Sequence, residues 1–145
     1  MTHIEKAKDL FAKKFHCSQA VFAAFSEELG LTEKQALKIG ACLGSGMRKG
    51  EVCGACTGAL MALGLKYGQA STEDLESRIK TNEVTDRFMD EFKKQNGSYM
   101  CKELLGCDLS TDKGIAEALE KKLFIEFCPQ LVTSATEIAE KILQI

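Results

Sequence analysis

The chain has 145 residues, 45% of them hydrophobic, a length and composition that suit one domain with a full core. Its 21 acidic and 19 basic residues leave a formal charge of −2, which excludes the strongly basic footprint of a nucleic-acid binder. One proline and 12 glycines, none in a repeat, exclude collagen-like and disordered classes.

Seven cysteines stand beside two histidines and no tryptophan, so composition already points to sulfur chemistry. The N-terminus enters mixed charge at Glu5 and Lys6 without the apolar core of a signal peptide. The most apolar stretch, residues 53–65, holds three glycines and is too short to insert in a membrane. A cytoplasmic location is therefore expected. There, structural disulfides are uncommon, and an odd number of thiols cannot all pair.

The periodicity is helical almost throughout. Thr2 and Glu5 have capping-box spacing and open a helix over residues 2–14, with Ile4, Ala7, Leu10 and Phe11 on one face. Phe15-His16 marks a bend, and a second helix over 17–29 stops at Gly30. Thr32 and Gln35 repeat the box for a third helix over 32–43, with Ile39 on its apolar face. The one irregular segment follows, Gly44-Ser45-Gly46-Met47-Arg48-Lys49-Gly50. It fits neither a dinucleotide loop nor a P-loop, and reads as a flexible connector whose basic pair could steady a nearby thiolate.

A fourth helix over 53–67 is apolar nearly all round, as a central buried helix should be. Gly54, Gly58 and Ala62 recur every four residues, so a second backbone could approach that side. Residues 71–95 form a long polar helix carrying Leu75, Ile79, Val84, Phe88 and Phe92. Ser98 caps a short helix over 99–105 that closes at Gly106, and another helix runs over 111–124. Cys128-Pro129 opens the last, over 128–143. No strand pattern is sustained. The expectation is one all-α domain over residues 1–145, a bundle of about seven helices around a small-residue-rich central one.

Cys17, Cys53, Cys101 and Cys128 each fall in the first turn of an expected helix, where free amide N–H groups and the macrodipole favour a thiolate. Cys42 lies inside the third helix and reads as a packing residue, and Cys107 lies just past the short helix. Cys53 and Cys56 form a CxxC pair, but without the βαβ setting of a thioredoxin motif and without a second pair to complete a metal site. His16 and Cys17 point about 100° apart on a helix, so a direct pair is not expected. Met47, Met61, Met89 and Met100 read as core filler.

Cys17-Ser18-Gln19-Ala20-Val21, Cys53-Gly54-Ala55-Cys56-Thr57-Gly58, Cys101-Lys102-Glu103-Leu104-Leu105-Gly106 and Cys128-Pro129, in that order, resemble the C_GCAxxG_C_C family. Its members are small redox-active proteins with four characteristic cysteines and a CGAxxG motif, and the resemblance covers residues 17–135. It implies that Cys17, Cys53, Cys101 and Cys128 are the working thiols. Cys56 sits at a variable position of the motif and is second tier. A related module found beside multihaem and iron–sulfur proteins keeps an iron–sulfur cluster among the readings.

The expected function is a redox or electron-transfer protein whose four thiols share one site. Either they ligate an iron–sulfur cluster, with zinc less favoured because it carries no redox change, or they cycle between dithiol and disulfide with Cys53 as the accessible nucleophile. The expected partner is a redox protein, with no nucleic acid and no membrane insertion. The rival reading is a non-catalytic assembly module, a homodimer included, in which the Gly54–Gly58–Ala62 face packs on a partner subunit.

Overall fold

A computed structural model describes residues 1–145. The chain is helical throughout, and the all-α expectation holds. Helices α1 (His3–Ala12), α2 (Cys17–Ser26), α3 (Glu33–Gly40), α4 (Gly54–Tyr67) and α5 (Leu75–Asn96) make up the first two-thirds. The remainder is α6 (Cys101–Leu105), α7 (Asp112–Glu120), α8 (Leu123–Glu126) and α9 (Cys128–Leu143).

Three start signals act as read, those at Thr2, Thr32 and Thr111. Ser98 does not cap α6, which starts at Cys101 without a side-chain cap, and the long helix starts at Leu75 under an Asp74 cap and not at residue 71. Thr2 and Thr32 each accept the amide N–H three residues on, from Glu5 and Gln35, at 3.1 Å. The Glu5 and Gln35 side chains return the bond to the threonine amides. Thr111 caps α7 in the same manner through the Gly114 amide. The expected helix over 111–124 is broken because Lys122 adopts a left-handed conformation (φ 55°) between α7 and α8. No helix is long and apolar enough to cross a membrane.

Two hydrophobic clusters hold the fold. The larger, of 25 buried residues, is centred on α2, α4 and α9, with Phe25, Phe88, Phe92 and Leu63 fully enclosed. The smaller, of six, joins Cys101, Leu105, Cys107, Leu109, Ala118 and Cys128. Phe11 and Phe127 pack against both. The small-residue face of α4 is covered by α2 of the same chain. A Cβ on Gly58 would stand 2.6 Å from the Ser18 carbonyl oxygen and 3.1 Å from Val21 Cβ, so no partner subunit has access there.

Three of the positions expected on apolar helix faces lie outside the core. Ile39 on α3 and Leu75 and Ile79 in the first turns of α5 are 53%, 61% and 68% exposed, while Val84, Phe88 and Phe92 further along α5 are buried.

Candidate thiol centre

Cys17, Cys53, Cys101 and Cys128 line a single cavity of about 840 Å³. Cys53 belongs to the larger cluster and Cys17 packs on it, while Cys101 and Cys128 belong to the smaller, so the cavity lies where the two meet. All four stand at helix starts: first residue of α2, α6 and α9, and the residue preceding α4.

Local structure explains each placement. His16 is extended (φ −64°, ψ 155°) and its amide donates to Gln19 Oε1 at 2.8 Å, which ends the α1–α2 bend and starts α2 on Cys17. Ser18 Oγ and Gln19 Nε2 then donate to the Gly40 and Leu37 carbonyls, both at 2.8 Å, tying this end of α2 to α3.

Cys53 and Cys101 are positioned by one antiparallel bridge between Val52 and Met100. The Cys53 amide donates to the Tyr99 carbonyl at 2.8 Å, and the Cys101 amide to the Glu51 carbonyl at 2.6 Å. Two segments remote in sequence thus deliver their thiols to one place. Cys128 is set by Pro129 at the second position of α9, where a missing amide hydrogen costs nothing.

The glycine-rich segment is no flexible connector. Ser45, Gly46, Met47 and Arg48 are consecutively left-handed, with φ of 55°, 61°, 56° and 61°. Each non-glycine residue there costs about 1–2 kcal/mol. What the turn supplies is the Ser45 amide, which with the Ser18 amide faces the Cys17 sulfur and favours its charged form, though not enough to offset burial and Cys53. Arg48 and Lys49, expected to steady a thiolate, are exposed and do not line the cavity.

The thiols are not anionic, against the expectation from helix starts. The Cys17 thiol lies within hydrogen-bonding range of Cys53, which together with burial holds its pKa well above the usual range. Cys53 is also pushed up: Cys17 lowers it, but contact with Cys56 and burial outweigh that. Burial raises both Cys101 and Cys128 to about 12, reinforced by the neighbouring thiols. No cation acts on any of the four, so desolvation and mutual repulsion exceed the field of the helix starts.

Accessibility also differs from expectation. Cys53, expected as the accessible nucleophile, is 4% exposed within the larger cluster; Cys17 is the half-buried member of the set. Cys56 is fully buried behind Cys53 and outside the cavity. Cys107 is buried in the smaller cluster. Cys42, read as packing, is exposed, because α3 ends at Gly40 and tightens into a single turn over Ala41–Leu43. No three Cys, His, Asp or Glu side chains are gathered tightly enough to hold a single metal ion.

A family model described as "Putative redox-active protein (C_GCAxxG_C_C)" matches residues 15–142, a span that contains all four cavity cysteines. The chain belongs to the C_GCAxxG_C_C family. No curated protein and no solved structure shows significant similarity to it. Family membership thus supplies redox activity as a class, and the arrangement of the cysteines is read from this fold.

Several cavity residues were not read as site residues in the sequence. Phe11 and Phe15 form part of the wall and Lys8 and Lys14 reach it from α1 and the bend after it. The spacing of Lys8, Phe11 and Ala12 on one helix face was a usable signal. The left-handed turn at Lys14 (φ 80°) had none, since lysine rarely adopts it.

Proposed function

We propose that this chain is a thiol redox protein in which Cys17 and Cys53 are the working dithiol, with Cys101 and Cys128 beside them in the same cavity. The observation that carries this reading is the contact between the Cys17 and Cys53 sulfurs on the wall of the cavity that all four cysteines share. On oxidation the two thiols lose two protons and two electrons to an oxidising partner and close to a Cys17–Cys53 disulfide; reduction returns both. Because both thiols are held protonated, exchange is slow until a partner or ligand supplies positive charge or a proton acceptor. This reading places the protein in a reducing cytoplasm, where all seven thiols rest free as they do in this structure.

A second reading rests on the four uncompensated thiols. An iron–sulfur cluster would take up four thiolates and replace their protons with metal charge, which offsets the desolvation cost that otherwise keeps the sulfurs protonated. Cys17, Cys53, Cys101 and Cys128 supply the donor count. A single zinc ion does not fit, as no three donors converge tightly enough.

One preparation separates the two. Protein purified without oxygen is assayed for iron, sulfide and visible absorbance, then oxidised mildly and its disulfides mapped by mass spectrometry. Metal-free protein with a Cys17–Cys53 bond supports the dithiol reading. Stoichiometric iron and sulfide, lost in Cys53→Ser, would replace it with the cluster. Wild-type redox behaviour in all four Cys→Ser variants would overturn both.

A further inference from the structure

The cavity is larger and more apolar than a pair of thiols requires. Its volume of about 840 Å³ lies within the range of roughly 300–1,000 Å³ that small-molecule sites occupy. Fourteen of its 20 lining residues are hydrophobic, with Phe11, Phe15, Leu104 and Leu105 among the walls. Leu119 and Ile125 extend the apolar surface outward and remain 62% and 71% exposed.

The charges around it are one-sided. The chain as a whole has more acids than bases, yet the lining contains Lys8 and Lys14 and no Asp or Glu. Both lysines are exposed, so they stand at the rim. Neither takes part in an ion pair, unlike Lys6 with Glu33 and Lys13 with Asp9. Lys14 is moreover held in a left-handed conformation at the α1–α2 bend, a cost borne at the cavity mouth and not in a free loop. A cationic ligand would meet two unneutralised ammonium groups. An anionic one would gain two partners while its carbon chain displaced water from the wall.

We infer that the cavity binds a small, elongated organic anion, with its carbon chain against the apolar wall beside the thiols and its acidic group between Lys8 and Lys14. This goes beyond the redox reading and holds whichever chemistry the thiols perform.

Octanoate, 1-octanol and octyltrimethylammonium share one chain length and differ in charge. Calorimetric titration of the reduced full-length protein is expected to rank them octanoate, octanol, octyltrimethylammonium in falling affinity. In Lys8→Glu/Lys14→Glu, octanoate is expected to lose about tenfold and the ammonium to overtake it, two rim ion pairs being converted to repulsions. Octanoate should also slow iodoacetamide alkylation of Cys17 while leaving exposed Cys42 unaffected. Equal binding of the three probes, no binding of octanoate, or an unchanged octanoate affinity in the double variant would overturn the inference. Protection of neither cysteine, or of both alike, would overturn the assignment to this cavity. None of these readouts involves electron transfer, so their failure leaves the redox reading standing. Were a cluster found instead, the probe ranking and the double variant would still test the inference, while the Cys17 alkylation readout applies to metal-free protein.

Discussion

Gly54 and Cys17 are packed so closely that a Cβ on Gly54 would stand 2.6 Å from the Cys17 sulfur, with the Ser18 amide nitrogen 3.2 Å from the same point. The absent side chain is what lets the start of α4 and the start of α2 meet, and so what brings Cys17 to Cys53.

Gly54→Ala should therefore displace the Cys17 thiol. Overpacking of this kind costs about 1–3 kcal/mol. Urea unfolding should show a loss in that range, and the yield of the Cys17–Cys53 disulfide on mild oxidation should fall. A variant as stable as wild type that forms the same bond would show that the notch has slack.

Stability should decline at alkaline pH. Cys101 and Cys128 titrate near 12 in the folded state, pushed up by burial, whereas an unfolded cysteine titrates near its reference value of about 8.5. Below that reference both states are protonated and these thiols impose no pH dependence. As pH rises from there toward 12 the unfolded chain releases protons that the folded one retains, so unfolding becomes progressively favoured. Replacing both cysteines with alanine should flatten the decline over that window in pH-dependent denaturant titrations.

The left-handed turn makes a prediction of opposite sign. Met47 is 38% exposed with φ 56°, a conformation glycine adopts freely. Met47→Gly should remove about 1–2 kcal/mol of backbone cost and lose roughly 0.5–1 kcal/mol through the freer unfolded chain, for a net gain of up to about 1.5 kcal/mol. Gly50→Ala should do the reverse, since Gly50 has φ 67° and a Cβ there would lie 3.2 Å from Lys102 Cβ. Thermal unfolding of the two variants, measured side by side, checks both signs.

Thiol substitutions should separate working from incidental cysteines. Cys42→Ser touches an exposed site and should change stability by less than about 0.5 kcal/mol, with oxidation unaltered. Cys17→Ser should abolish the bond at Cys53, or divert it to Cys56, which lies in contact with Cys53 on its other side. Peptide mapping after oxidation distinguishes these outcomes from persistence of wild-type behaviour.

The helices were legible because their signals are local. Thr2 with Glu5 and Thr32 with Gln35 form caps that need nothing from the rest of the chain. The four cavity thiols were legible for a similar reason, as each follows a helix-start pattern and the set matches a family. Their protonation was misjudged because a helix start contributes a field readable from sequence, while the burial that outweighs it depends on how two clusters meet. Cys53 was taken as accessible since it follows the irregular glycine-rich segment, but the chain beside it pairs, through Val52, with the remote Met100, and Cys53 itself is buried in the larger cluster. The left-handed run at Ser45–Arg48 was likewise beyond local reading: glycine flagged irregular backbone, and only contact with Cys17 gives it a purpose.

The bridge between Val52 and Met100, with Cys128 arriving at the head of the final helix, also sets an order of events during synthesis. Cys17 and Cys53 emerge from the ribosome long before the segments that enclose them, and for that interval are bare thiols on a growing chain. The cavity around them is complete only when the C-terminal helix supplies Cys128 and Leu131. Reactivity of Cys53 toward a small alkylating agent is therefore a clock for the completion of folding, high in nascent or truncated chains and low in the finished protein.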